Sequence, residues 1–207
     1  MSIAPQIPSG SNPAGKPEAV FLAVSCVHPV WSGYAGIPES SKQELVPLCM
    51  LAMRWDGTIG FIGGAVDPGE TLLDAVAREA LEEAGISAPD NLAKEWTLVS
   101  SHDMGQLCVH LFSWSVDFDV FSAILSGQHL AQHHMSEGTI FAAHCRNYGR
   151  GKRSFEQLCR QNFAPGALPQ LAALIDHLGW SHAFGSDSPA MPTHSRDQYP
   201  ELGNQAA

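Results

Sequence analysis

Between residues 19 and 182 the chain alternates short apolar runs with stretches marked by glycine and proline. "VFLAVSCV" (20–27) and "LVPLCMLAMRW" (45–55) carry few charges, the pattern of strands buried on both faces. The segment between them, "HPVWSGYAGIPESSKQE", has the Gly and Pro content of a loop. "TIGFIGG" (58–64) leads into "GETLLDAVAREALEEAGI" (69–86), where Leu72, Leu73, Val76, Ala80, Leu81 and Ala84 recur at helical spacing and Gly85 provides a stop. "WTLVSSH" (96–102) and "QLCVHLFSWSV" (106–116) read as strands, the second with the clearer alternation. "DVFSAILSG" (119–127) predicts a short helix and "GTIFAAHC" (138–145) another strand. "SFEQLCRQ" (154–161) and "ALPQLAALIDHLG" (167–179) predict closing helices. Strands mixed with helices in this way indicate one layered α/β or α+β domain. Residues 1–18 and 183–207 are rich in Pro, Ser and Gly, bury little, and are expected to be disordered tails.

Composition narrows the function classes. A formal net charge of −10 disfavours a broad nucleic-acid-coating surface. The bases are unevenly placed, however: Arg146, Arg150, Lys152, Arg153 and Arg160 fall within "CRNYGRGKRSFEQLCR" (145–160), which reads either as a solvated loop or as a local phosphate-binding patch. Cys26, Cys49, Cys108, Cys145 and Cys159 show no CxxC pair, so reduced, buried thiols of a cytoplasmic protein are expected rather than a disulfide framework. The N-terminal residues carry no secretory pattern, and no apolar run reaches membrane-span length, so no membrane partner is expected.

The predicted helix 69–86 also concentrates acid. Glu79 and Glu83 stand four residues apart and Glu79 and Glu82 three, so their carboxylates share one face. Like charges at this spacing cost an isolated helix a few tenths of a kcal/mol per pair. A hard divalent cation would turn that penalty into binding, and oxygen-only ligands favour Mg²⁺ or Mn²⁺ over zinc. Gly63 and Gly64 just ahead let backbone approach a metal and a phosphate closely. Glu70 and Arg78 are spaced to pair and hold the carboxylates in orientation. His129, His133 and His134 in "QHLAQHHMSE" (128–137) offer a second metal-like cluster, but no fourth ligand follows and flanking glycines suggest an exposed loop.

The segment resembles the Nudix box, G-x5-E-x7-R-E-U-x-E-E-x-G-U, through Gly64, Glu70, Arg78, Glu79, Glu82, Glu83, Gly85 and Ile86. Ala80 is smaller than the usual bulky residue at its position. The resemblance implies the Nudix α/β/α sandwich with a mixed central sheet, and hydrolysis of a nucleoside diphosphate linked to another moiety. It implies Glu79 and Glu83 as principal Mg²⁺ or Mn²⁺ ligands, Glu82 as a further ligand or the base that activates water, and the Gly63 carbonyl as an added ligand. "MRWDGTIGFIGGAVD" (53–67), "SSH" (100–102), "RQNF" (160–163) and "PQLAALIDHLG" (169–179) are similar to the snoRNA-decapping and inosine-diphosphatase branch. That likeness implies purine-nucleotide contacts at Arg54, Phe61 and Gln170, and His102 near the metal site. The residues themselves leave alternatives open: Phe61 as core, Arg54 as surface charge, Gln170 as a helix polar residue and His102 as a strand-end histidine. Ile62 stands where the branch often has Pro, and its early aromatic-stacking His has no match here. The implied substrate is a purine nucleoside diphosphate or a capped RNA 5′ end. ADP-ribose or a dinucleotide is the alternative, and a non-catalytic binding protein the rival from another class. Members of the branch often dimerise, so the partners implied include a second copy.

Overall fold

The computed structural model describes residues 5–29, 39–133, 136, 138–147 and 154–180. Eight strands form one mixed sheet: β1 (Gln6–Ile7), β2 (Glu18–His28), β3 (Val46–Arg54), β4 (Ile59–Gly60), β5 (Ile62–Ala65), β6 (Thr97–Asp103), β7 (Cys108–Ser115) and β8 (Gly138–His144). The helices are α1 (Glu39–Lys42), α2 (Leu72–Ala84), α3 (Leu92–Glu95), α4 (Phe118–Gly127), α5 (Ser154–Cys159) and α6 (Ala167–His177), with a 3₁₀ turn at Gln128–Leu130. β2 is the hub. It runs parallel to β7 along one edge, and its other edge pairs first with β5 and then with β3, both antiparallel.

Period-two alternation in the central strands explains the layers. Val20, Leu22 and Val24 of β2 and Leu48 and Met50 of β3 pack with Val76, Ala80 and Ala84 of α2 and Phe121 of α4. Ala23, Cys49 and Leu51 face the other way, into a second core with Phe155, Leu168, Leu171 and Leu174 of α5 and α6. The sheet is thus covered on both faces, the expected α/β/α sandwich. Ala80 is fully buried, and a small residue there brings α2 close to the sheet.

The structure corrects some expectations and adds to others. Residues 5–18, expected to lack structure, lie against the domain: β1 pairs with β6, and the Lys16 ammonium holds both Asp103 oxygens at 2.6 and 2.7 Å. "TIGFIGG" is two strands, with β4 pairing to β3 and β5 to β2. His129 Nδ1 lies 2.9 Å from the Ser126 carbonyl, so the histidine cluster spends part of its polarity locally. Among the described residues no group of three His, Cys, Asp or Glu side chains is gathered to hold a metal; His134 of the histidine cluster lies outside the described residues. Of the basic segment, Arg146 pairs with Glu44 at 3.3 Å and Arg160 is exposed, while Arg150, Lys152 and Arg153 lie outside the described residues. The C-terminal tail also lies outside them. All five cysteines are free and buried, and burial pushes Cys26 up to about 11 and Cys159 to about 12. Among the described residues no helix is long and apolar enough to cross a membrane.

Candidate active site

The acidic helix begins where its sequence tells it to. Thr71 caps α2, its hydroxyl accepting from the Asp74 N–H at 3.1 Å. Gly85 closes the helix in the left-handed region at φ 68°, and the N–H groups of Gly85 and Ile86 donate to the carbonyls of Leu81 and Ala80. Between these caps the Ala75–Val76–Ala80–Ala84 face is buried, which leaves Glu79, Glu82 and Glu83 along the margin facing the β5 loop.

Arg78 organises this margin. Its Nε and Nη2 donate to the two oxygens of Glu70 at 2.9 and 3.0 Å, a bidentate fork. Nη2 also donates to the Ala65 carbonyl at 2.9 Å, and Nη1 to Glu79 Oε1 at 2.8 Å and Glu82 Oε2 at 3.3 Å. The guanidinium pulls the Glu70 carboxyl below its ordinary range, helped by the Asp67 N–H, and is itself held protonated by Glu70 first and Glu79 second. Loop and helix are thereby clamped through one side chain. Glu83 turns instead to the backbone, accepting the Gly63 N–H at 2.8 Å.

Two glycines make the close approach necessary. A Cβ on Gly63, whose φ is 140°, would lie 2.1 Å from the Val20 carbonyl oxygen. One on Gly64 would lie 2.7 Å from Glu79 Oε1 and 2.9 Å from Oε2. The Glu79 carboxylate, only 13% exposed, therefore rests directly on the Gly64 backbone. Glu79, Glu82 and Glu83 do not converge as they stand, but with the Gly63 carbonyl they line the backbone cradle with hard oxygens, a donor chemistry that suits a divalent cation. The carboxylates are met here in a spread arrangement, Glu79 and Glu82 on Arg78 and Glu83 on Gly63.

The other predicted residues are placed unequally. His102 lies on β6, which is separated from β5 by β2 and β7; at about 4.8 Å per strand this is roughly 14 Å across the sheet. It does not sit with the carboxylates as a ligand of the same ion. His102 is paired across strands with Val109, so both face the α6 side, where Val109 meets Gly166 at the start of α6. Gln170, one turn further along α6, is 1% exposed, and its Nε2 has no hydrogen-bond partner among the described residues. Phe61 is 1% exposed and belongs to the same buried cluster as Leu168 and Leu171, so it is a core ring rather than an open stacking surface. Arg54 ends β3 at the surface, its stem beside Gly60.

Sequence reasoning missed two contributors. The His133 N–H donates to the Glu82 carbonyl at 2.9 Å, and its imidazole Nδ1 stands 3.9 Å from Glu82 Oε2. The Ala65 carbonyl anchors Arg78. The Ala65 carbonyl carries no residue-type signal, and His133, singled out only as part of a histidine cluster, reaches Glu82 through a main-chain bond as well as its ring.

The family model for Nudt16-like proteins (U8 snoRNA-decapping enzyme-like) matches residues 41–179, more than half of the chain. The chain belongs to this family. A U8 snoRNA-decapping enzyme of Homalodisca vitripennis is 34% identical to this Nudt16-like chain over 95 residues, 44% of this chain and 51% of that protein. The chain thus spans about half the length of the curated relative it matches. A mutT/nudix family protein from Listeria innocua superposes with a TM-score of 0.52 at 13% identity, over 79% of this chain and 94% of that one, which shows the shared Nudix fold.

Proposed function

We propose that this protein is a divalent-metal-dependent phosphoanhydride hydrolase that cleaves the diphosphate of purine nucleotides or of capped RNA 5′ ends. The observation that carries the reading is the cradle itself: Glu79, Glu82 and Glu83 beside Gly63 and Gly64, clamped by the Arg78–Glu70 fork. Glu79 and Glu83 are the principal metal ligands, with Glu82 and the Gly63 carbonyl beside them. Mg²⁺ or Mn²⁺, when bound, supplies neutralisation of the phosphoryl oxygens and acidifies water. Glu82 is partly exposed and takes the proton of the attacking water, while Arg78 sets the angle of its carboxylate. The buried, unpartnered Gln170 amide supports a purine contact, because a buried donor left without a partner is costly unless a ligand completes it. Arg54, at the surface end of β3, is assigned a phosphate or base contact. His102 faces the same side as Gln170 and is assigned to substrate rather than to the ion. Free, buried thiols support a cytoplasmic setting.

The test is turnover by the full chain, with Mg²⁺ or Mn²⁺, of inosine diphosphate, ADP-ribose and capped RNA, alongside Glu83→Gln. Hydrolysis of inosine diphosphate or capped RNA that falls at least about a hundredfold in Glu83→Gln is expected, given that even groups supporting a ligand are worth ten- to a hundredfold. Cleavage of ADP-ribose alone would overturn the substrate assignment, and full activity of Glu83→Gln would overturn the metal site.

A further inference from the structure

Lys16 is held through its main chain and its side chain alike. The Asn12 side chain accepts the Lys16 N–H at 2.9 Å and donates to the Lys16 carbonyl at 2.7 Å. The Lys16 ammonium meets both oxygens of Asp103, the last residue of β6, whose own N–H donates to the Pro5 carbonyl at 3.1 Å. An exposed ion pair with free ends contributes little. Here the main chain of both partners is already bonded and the side chains are only 21% and 24% exposed, so the pair fixes a position. What it fixes is the turn from β6 to β7. Asp103 Oδ1 also accepts the Gly105 N–H at 2.8 Å, and the Met104 N–H donates to the Leu107 carbonyl at 2.8 Å.

Met104 carries that position to the helix opposite. Its Sδ lies 3.2 Å and its Cε 3.5 Å from where a Cβ on Gly166 would stand, with Val109 Cγ2 at 3.3 Å. Gly166 precedes α6 at φ 85° with no side-chain cap, so this contact seats the start of the helix. The Gln170 N–H donates to the Gly166 carbonyl at 3.1 Å. Residues four apart share a helix face, and Cα–Cβ bonds lean toward the helix N-terminus. The Gln170 side chain therefore lies on the face that Met104 touches and leans back toward that turn. Its buried Nε2 is the donor without a partner among the described residues. A ligand contact made by such an amide depends on placement to within about 1 Å.

We propose that Lys16 is a positioning residue for purine binding, acting through Asp103 and the Met104 wedge on the first turn of α6, where Gln170 meets the nucleotide. The inference rests on the purine contact assigned to Gln170 above and extends that site to the N-terminal segment. The experiment measures the affinity of the full chain for inosine monophosphate, which holds no diphosphate to cleave, by isothermal titration. Gln170→Ala is expected to weaken it about fivefold, the scale of one hydrogen bond, and Lys16→Ala and Met104→Ala to approach the same loss. Lys16→Arg, which can still grip both Asp103 oxygens, restores wild-type affinity. The KM for inosine diphosphate follows this order while kcat holds. In the Gln170→Ala background, Lys16→Ala adds no further loss, because the contact it positions is already gone. Wild-type affinity in Lys16→Ala or in Met104→Ala, with circular dichroism confirming the fold, overturns the inference alone. So does a Lys16→Ala loss that adds in full to that of Gln170→Ala, which would place its action elsewhere. Unchanged affinity in Gln170→Ala removes the purine contact itself, and the inference with it. A protein that binds inosine monophosphate in the expected pattern yet hydrolyses no diphosphate leaves the inference standing and defeats the hydrolase reading instead.

Discussion

At the scale of single residues, Gly64 and Arg78 separate two ways of damaging the same site. Gly64→Ala places a methyl group 2.7 Å from Glu79 Oε1, so the carboxylate must move off the backbone it rests on. The strain falls on the end of a flexible side chain, so the fold survives. Activity is expected to fall by at least about tenfold, checked by kcat with the melting temperature measured in parallel. Arg78→Lys keeps the charge and loses the fork. An ammonium cannot hold both Glu70 oxygens, the Ala65 carbonyl and Glu79 in one plane. Mn²⁺ affinity is expected to drop ten- to a hundredfold in Arg78→Lys, read by isothermal titration; an unchanged affinity would show that the fork does not orient the ligands. The carboxylates of this site were legible in the sequence because helical spacing is local. The Ala65 carbonyl on Arg78 and the His133 N–H on Glu82 were not, because a main-chain group has no residue type to betray it.

At the scale of elements, α2 shows why boundaries read well here and elsewhere did not. Gly85 announces its end through local chemistry, a residue that tolerates φ 68°, while the Thr71 hydroxyl caps a start at Leu72, inside the expected 69–86. The space around Gly85 is open, with Ala131 Cβ 4.0 Å away as the nearest side chain, so its substitution tests conformation alone. Gly85→Ala is expected to lower stability by about 1–2 kcal/mol, the cost of forcing a Cβ into the left-handed region, measurable as a shift in urea midpoint at constant slope. β1, by contrast, is two residues that become a strand only because the β6 edge accepts them. The division of "TIGFIGG" into β4 and β5 is equally non-local, since β3 takes the first part and β2 the second. A register shift between Leu98 and Ser100 in β6 is likewise set by its partner β7. Period-two patterning carries the existence of a strand, and only its neighbours decide where it is interrupted.

At the scale of the whole molecule, a buried polar chain ties the N-terminal segment to the sheet. The Gly10 N–H donates to Ser101 Oγ at 2.9 Å, leaving the Ser101 hydroxyl to donate to His110 Nδ1 at 2.8 Å. The His110 Nε2–H then donates to Glu18 Oε1 at 3.0 Å, so this network assigns the neutral imidazole. Burial lowers the pKa of His110 from its ordinary 6.5, with Glu18 acting in the opposite sense, and burial lowers that of His144 as well. A base whose folded-state pKa is depressed binds its proton more readily in the unfolded chain. Its contribution to stability is therefore complete above pH 6.5 and declines as pH falls below 6.5 toward the folded value. Asp56, Glu70 and Asp103 are shifted down from ordinary values of 3.8 and 4.5, so their contributions are lost only in more acidic solution. The interval from pH 6.5 to about 5 accordingly isolates the histidines, each worth at most about 1.4 kcal/mol per pH unit. Urea unfolding across this interval, without added metal, is expected to show stability falling with pH in the wild type and a flatter profile in His110→Gln. A profile equally steep in both would assign the loss to other groups and detach His110 from the stability of the fold.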